Sequence, residues 1–175
     1  MSDESRAKRY ERLVLPHSSA VYNLARWLLG NAQDAEDVTQ EVFVRAYKHL
    51  DRLRGEEALA WLLTIVRNEC YDWLRQHRAR NVTRSLEETD NELISEEATP
   101  EQFVLDRLDA ERLRTALENL PLEYREVMVL RGLEGLSYKQ IASIINAPVG
   151  TVMSRLSRAR MRLQAQLSEE QEKDR

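Results

Sequence analysis

The 175-residue chain has one cysteine, Cys70, so no internal disulfide can form. Its three histidines are scattered, and no Cys/His cluster stands at metal-ligand spacing; no metal or cofactor is expected. Glycine (five) and proline (four) are scarce and no stretch alternates in the manner of a strand, which points to an all-α chain. No apolar run approaches a membrane span, and the polar start MSDESRAKRYER is not a signal peptide, so a soluble, intracellular protein is expected. A net charge of −4 argues against a protein that coats nucleic acid indiscriminately, but leaves room for a local basic face.

The charge is unevenly placed. Residues 1–80 carry 13 basic and 12 acidic groups, residues 81–108 carry 2 and 8, and residues 109–175 carry 11 and 10. The middle, NVTRSLEETDNELISEEATP, is acidic, polar and poor in large apolar residues, the composition of a flexible linker. It could also lie in a basic channel or screen a basic helix of its own chain. The expected organisation is therefore two small helical domains, 1–80 and 107–175, joined by an acidic flexible linker over 81–106.

The stretch SYKQIASIINAPVGTVMSRLSRARMRL, 137–163, reads as two helices with a tight break. Ser137 and Gln140 have capping-box spacing, Ile141, Ala142, Ile144 and Ile145 form an apolar face, and Asn146-Ala147-Pro148 ends the first helix. In the second, Val149, Val152, Leu156, Ala159 and Leu163 recur at steps of three and four and make one narrow stripe. Away from it point Gly150, Ser154, Ser157, Arg158 and Met161, flanked by Thr151, Arg155 and Arg162 on one side and Met153 and Arg160 on the other. From Val149 to Leu163 there are four arginines and no acid, so the helix has donors for phosphates and small outward residues for a groove. This is the layout of a helix-turn-helix; a plain αα-hairpin with a solvated charged face is the simpler alternative.

Ahead of the linker, residues 1–8 are polar and expected to fray, and a helix is expected from Tyr10 to Leu29, either beginning only after Pro16 or kinked there. A second helix begins at Asp34. Val38, Val42, Ala46 and Leu50 form its stripe, and Asp37, Gln40, Glu41, Arg45 and Lys48 its other face, either merely solvated or a docking surface for a basic partner. A third runs from about Glu56 to Arg80, with Leu59, Leu62, Leu63, Val66, Cys70, Trp73 and Leu74 inward. Its other side presents Trp61, Thr64, Asn68, Asp72 and Arg75, above a basic end that suits both a helix C-terminus and a nucleic-acid backbone. After the linker, helices are expected over Glu101–Leu120, with Phe103, Val104, Leu108, Leu113, Leu117 and Leu120 as its periodic apolar residues, and Leu122–Leu133, with Val127, Met128, Leu130 and Leu133 apolar; the tail from Ser168 is expected to fray.

Three blocks in order resemble the extracytoplasmic-function group of the bacterial sigma-70 family. DAEDVTQEVFVRAYKHL is similar to the region 2 helix that docks on core RNA polymerase, and AWLLTIVRNECYDWLRQHRAR to the helix that opens and reads the minus-10 element. LPLEYREVMVLRGLEGLSYKQIASIINAPVGTVMSRLSRARMRL looks like region 4, the reader of the minus-35 element. The resemblance spans roughly residues 10–165.

It implies a sigma factor without an active site of its own. Asp34, Asp37, Gln40 and Glu41 would meet the clamp helices of the polymerase's largest subunit, and region 4 the flap of the second-largest. Asn68 holds the position associated with a flipped minus-10 base, Arg54 lies in the loop that lines its pocket, and Trp61 and Arg75 share the Asn68 face. Thr151, Met153, Ser154, Ser157 and Arg158 would face the minus-35 groove, with Arg155 and Arg160 on phosphates or in packing. Met153 and Ser157 depart from the family's frequent basic and His or aromatic residues, and Leu53 from its common aromatic. An anti-sigma factor, often membrane-anchored, is a further implied partner. The rival reading is a dimeric helix-turn-helix repressor or activator, which leaves the first 80 residues without a role. An enzyme has little support, since no His or Cys joins the carboxylates Asp34, Asp37 and Glu41.

Overall fold

The structure, a computed structural model, describes residues 3–55, 57–78 and 100–173, and every regular element among them is helical. In order these are α1 (Asp3–Leu13), α2 (Ser18–Leu29), α3 (Ala32–Lys48), α4 (Ala58–Arg78), α5 (Pro100–Glu118), α6 (Leu122–Met128), α7 (Tyr138–Ile145) and α8 (Val149–Lys173). Most of the acidic stretch, 79–99, lies outside the described residues, and the first turns of α5 cover the rest.

Helices α2, α3 and α4 pack on one another in the N-terminal half. Leu24, Leu62 and Leu63 are fully buried there, each contributing about 1.5–3 kcal/mol by leaving water. Gly30 ends α2 in the left-handed conformation, φ +75°, and the Asn31 side chain accepts from the Asp34 N–H at 3.0 Å, so α3 starts two residues ahead of the expected Asp34.

The polar N-terminus is not frayed, as its composition suggested. From Asp3 on it forms α1, because two of its arginines find backbone carbonyls at the end of α3 and in the connection that follows it. Arg6 donates to the Tyr47 and Lys48 carbonyls at 2.7 and 2.9 Å, and Arg9 to the Leu53 carbonyl at 2.8 Å. Pro16 sits in a 3-10 turn, Leu15–His17, that separates α1 from α2; the helix expected from Tyr10 is thus two helices.

In the C-terminal half, α6 continues into a π turn, Val129–Leu133. The extra residue in that turn rotates Leu133 off the apolar stripe, leaving it 57% exposed, and Leu136 fills the core instead. Leu113, one of the periodic apolar residues of α5, is 43% exposed. Ser137 and Gln140 close the capping box on α7 in both directions, at 3.1 and 2.9 Å, and Asn146 ends it at φ +53°. Helix α8 packs Val152, Leu156 and Ala159 against α6 and α7 and runs unbroken to Lys173, through the tail expected to fray.

The two halves are in contact. Helix α2 lies against α6 and α4 against α7, and one continuous core joins Leu24 and Val66 to Val127, Leu130 and Ile141.

Candidate nucleic-acid interface

On α8 the outward positions are open. Met153, Ser154, Ser157, Arg158 and Arg160 are exposed, and Thr151 is half-buried. The Ser154 hydroxyl donates back to the Thr151 carbonyl at 3.0 Å, a bond a groove ligand could replace. Arg158 and Arg160 have no ion-pair partner among the described residues. Arg155 differs: its guanidinium lies 3.7 Å from the Glu123 carboxylate and ties α8 to α6, while Arg162 sits over the Tyr124 ring at 5.0 Å. Packing thus accounts for Arg155, and the free arginines are those that point outward.

On α4, Trp61, Asn68 and Arg75 recur every seven residues, so they stand in line about 10 Å apart. Asn68 and Arg75 are exposed and Trp61 is half-buried; Arg75 pairs with Asp72 on the same face. Trp73 is turned elsewhere and stacks on His77 with ring centres 3.8 Å apart. Arg54 is exposed in the connection before α4, next to Gly55, whose φ of +71° suits glycine, while Leu53 is buried and anchors that connection.

On α3, Asp37, Gln40 and Glu41 form an exposed face, with Glu41 held by Arg45 at 3.1 Å and Arg45 reaching Glu69 of α4 at 2.7 Å. Asp34 is half-buried. Burial raises its carboxyl above the ordinary value, and the nearby His77 opposes that. The structure therefore brings Asp37, Gln40 and Glu41 together and sets Asp34 at their edge.

A cluster that sequence reading passed over joins the halves. Glu126 of α6 is fully buried; its carboxylate takes hydrogen bonds from the Arg67 guanidinium and, at 2.9 Å, from the Tyr71 phenol, both on α4. Arg67 also lies 4.3 Å from the centre of the Tyr71 ring. Burial raises the Glu126 carboxyl and Arg67 opposes it most; burial, then the Glu126 charge, pushes the Tyr71 phenol up to about 12. Beside this, Arg125 donates to the Trp27 carbonyl of α2 at 3.0 Å and to the Glu118 and Leu120 carbonyls at 2.7 and 3.0 Å. An available signal was Glu126 itself, an acid four residues before the core Leu130 on one helix face, which needs a partner there.

Family models match both halves: Sigma-70 region 2 over residues 13–80 and Sigma-70 region 4 over residues 110–163. The chain is 33% identical over 160 residues to the ECF RNA polymerase sigma-E factor of Escherichia coli, covering 87% of this chain and 83% of that protein.

The chain is a sigma factor of the sigma-70 family, in its extracytoplasmic-function group.

This sigma factor is also 37% identical over 167 residues to the ECF RNA polymerase sigma factor SigE of Mycolicibacterium smegmatis, covering 95% of this chain but 64% of SigE. Among solved structures it resembles the sigma factor RpoE of Bartonella quintana, in complex with the anti-sigma factor NepR, with 30% identity, a TM-score of 0.77 and coverage of 92% and 98% of the two chains. It also resembles CnrH, in complex with the cytosolic domain of CnrY, with 28% identity and a TM-score of 0.64 over 91% and 88% of the two chains. The expected all-α fold is thus that of the family. Among the described residues no helix is long and apolar enough to cross a membrane.

Proposed function

We propose that this sigma factor binds core RNA polymerase and promoter DNA, and brings the polymerase to promoters that it reads at two points. The observation that carries the reading is the outer face of α8, where Met153, Ser154, Ser157 and Arg158 are exposed on a well-packed helix-turn-helix. Arg158 is the side chain of that set able to pair bidentately with a guanine edge, and Met153 offers apolar contact to a thymine methyl. Asn68, with Arg54 from the connection before α4, would hold a base taken from the stack, at an unstacking cost of a few kcal/mol that pocket contacts offset. Trp61 and Arg75 would continue the path of the strand. Asp37, Gln40 and Glu41 would meet basic side chains of the polymerase clamp.

The division of labour follows the domains 1–80 and 107–175, with the acidic linker between them. In this reading the chain makes and breaks no bonds of its own and works in the cytoplasm, beside the polymerase. The anti-sigma factor NepR accompanies the similar RpoE chain, and the same class of partner fits this one.

Run-off transcription with purified core polymerase tests the reading. A sigma factor gives transcripts with defined start sites that vanish when either promoter element is scrambled. A dimeric repressor would bind a palindromic operator and start none.

A further inference from the structure

Helix α8 runs ten residues past Leu163, where the region 4 match ends. Its inward stripe, Val152, Leu156, Ala159 and Leu163, is carried on through Leu167 to Glu170 at the same steps of three and four. Leu117 and Leu120 pack with Ala159 and meet Leu163, whereas Leu163, Leu167 and Glu170 are only half-buried. An open groove of about 330 Å³ lies beside Arg160, Leu163, Gln164, Leu167 and Ser168. The charge on the helix is divided end to end. Val149–Leu163 holds four arginines and no acid, and residues 164–173 hold Glu169, Glu170 and Glu172 against Lys173. Neither Arg160 nor Glu170 has an ion-pair partner among the described residues, although Glu170 is half-buried.

We infer that this face takes the α8 helix of a second copy of the chain, antiparallel, in a symmetric pair centred on Ala165. Positions 160, 163, 167 and 170 have the spacing of one helix–helix seam. Arg160 and Glu170 stand five residues to either side of Ala165, and Leu163 and Leu167 two residues to either side. A two-fold axis there sets each Arg160 against Glu170 of the other copy and each Leu163 against its Leu167. A two-fold contact requires a surface complementary to itself, and this one is. A parallel pair would stack Arg160 on Arg160 and Glu170 on Glu170, so charge selects the antiparallel arrangement. The seam from Arg160 to Glu170 is about 15 Å of helix. It falls below the roughly 1,000 Å² of a stable interface, so the pair forms at high protein concentration and parts on dilution. Ser154, Ser157 and Arg158 lie on the opposite side of α8 and stay clear of the seam. Arg160, proposed above for a phosphate or packing, is shared by both uses. The pairing itself does not depend on the promoter reading.

Sedimentation velocity of the full chain over a dilution series tests the pairing, with Arg160→Glu, Glu170→Arg and an equimolar mixture of the two. The parent should show a monomer–dimer equilibrium. Each variant alone sets like charges at both ends of the seam and should weaken association by roughly tenfold or more. In the mixture, the chain with two acids meets the chain with two arginines, so heterodimers should return to the strength of the parent. Recovery on mixing cannot come from misfolding. If circular dichroism shows either reversal unfolded, Arg160→Gln and Glu170→Gln decide instead, each expected to weaken the dimer several-fold. A parent that stays monomeric up to its solubility limit overturns the inference. So do variants that dimerise as the parent does, and folded reversals whose mixture fails to recover.

Discussion

The phenol of Tyr71 donates to the buried carboxylate of Glu126 at 2.9 Å, and with Arg67 it forms the one buried ionic cluster between the two halves among the described residues. Truncating the acid leaves a guanidinium that is only 17% exposed without its partner. Glu126→Ala is expected to cost about 3–5 kcal/mol, as for a buried pair broken on one side. Urea unfolding measures it; a loss below about 1 kcal/mol would put the pair in the class of surface ion pairs.

Alkaline pH should weaken the same contact. The Tyr71 phenol is raised from 10.0 to about 12, so the folded state favours its protonated form. Its stabilising contribution is full below pH 10 and is lost as pH rises towards 12. Stability compared between the parent and Tyr71→Phe should converge over that window; curves that stay parallel would rule Tyr71 out as the titrating group.

Cys70 should be inert in the native chain. It is fully buried on α4, and burial, then Glu69 and Glu126, pushes its thiol up to about 12. Thiol-labelling reagents at neutral pH are expected to modify it only after denaturation, which is also what allows introduced cysteines to be labelled selectively. Rapid labelling of the folded protein would contradict the burial.

Arg158→Ala should cost about 1–3 kcal/mol of discrimination at one base pair of the minus-35 element. Binding by the reconstituted holoenzyme to a panel of single-site variants reads this out. An equal loss on every sequence, with a shallower salt dependence, would assign Arg158 to a phosphate instead.

Glu41→Lys, on the exposed α3 face, should weaken assembly with core polymerase several-fold and make it less dependent on salt, while loss of its surface pair with Arg45 costs the free chain only about 0.5 kcal/mol. Unchanged affinity in a competition assay would remove that face from the docking surface.

Much of this was legible in the sequence. The capping box at Ser137–Gln140, the break at Asn146-Ala147-Pro148 and the 3.6-residue stripes are local features, and the structure keeps them. The exposed faces of α3, α4 and α8 followed from the same periodicity, since a buried stripe fixes what lies opposite. What escaped depended on partners far away in sequence. Arg6 lies in what reads as a polar, fraying terminus until the end of α3 and the connection after it supply carbonyls to Arg6 and Arg9 more than 40 residues on. Leu133 fits its stripe until a π turn adds one residue. Glu126, read alone, is a helix acid, and its partner Arg67 lies 59 residues away, across the linker.

Helix α1 makes the N-terminus a structural part. Arg6 and Arg9 occupy carbonyls of Tyr47, Lys48, Leu50 and Leu53, the frame on which the connection bearing Arg54 and Gly55 is hung. Shortening the chain to begin at its first apolar run would discard residues with no assigned contact to DNA, yet it would slacken the loop before α4. Minus-10 selectivity would then drift while minus-35 binding held, a phenotype easily mistaken for a defect in base reading.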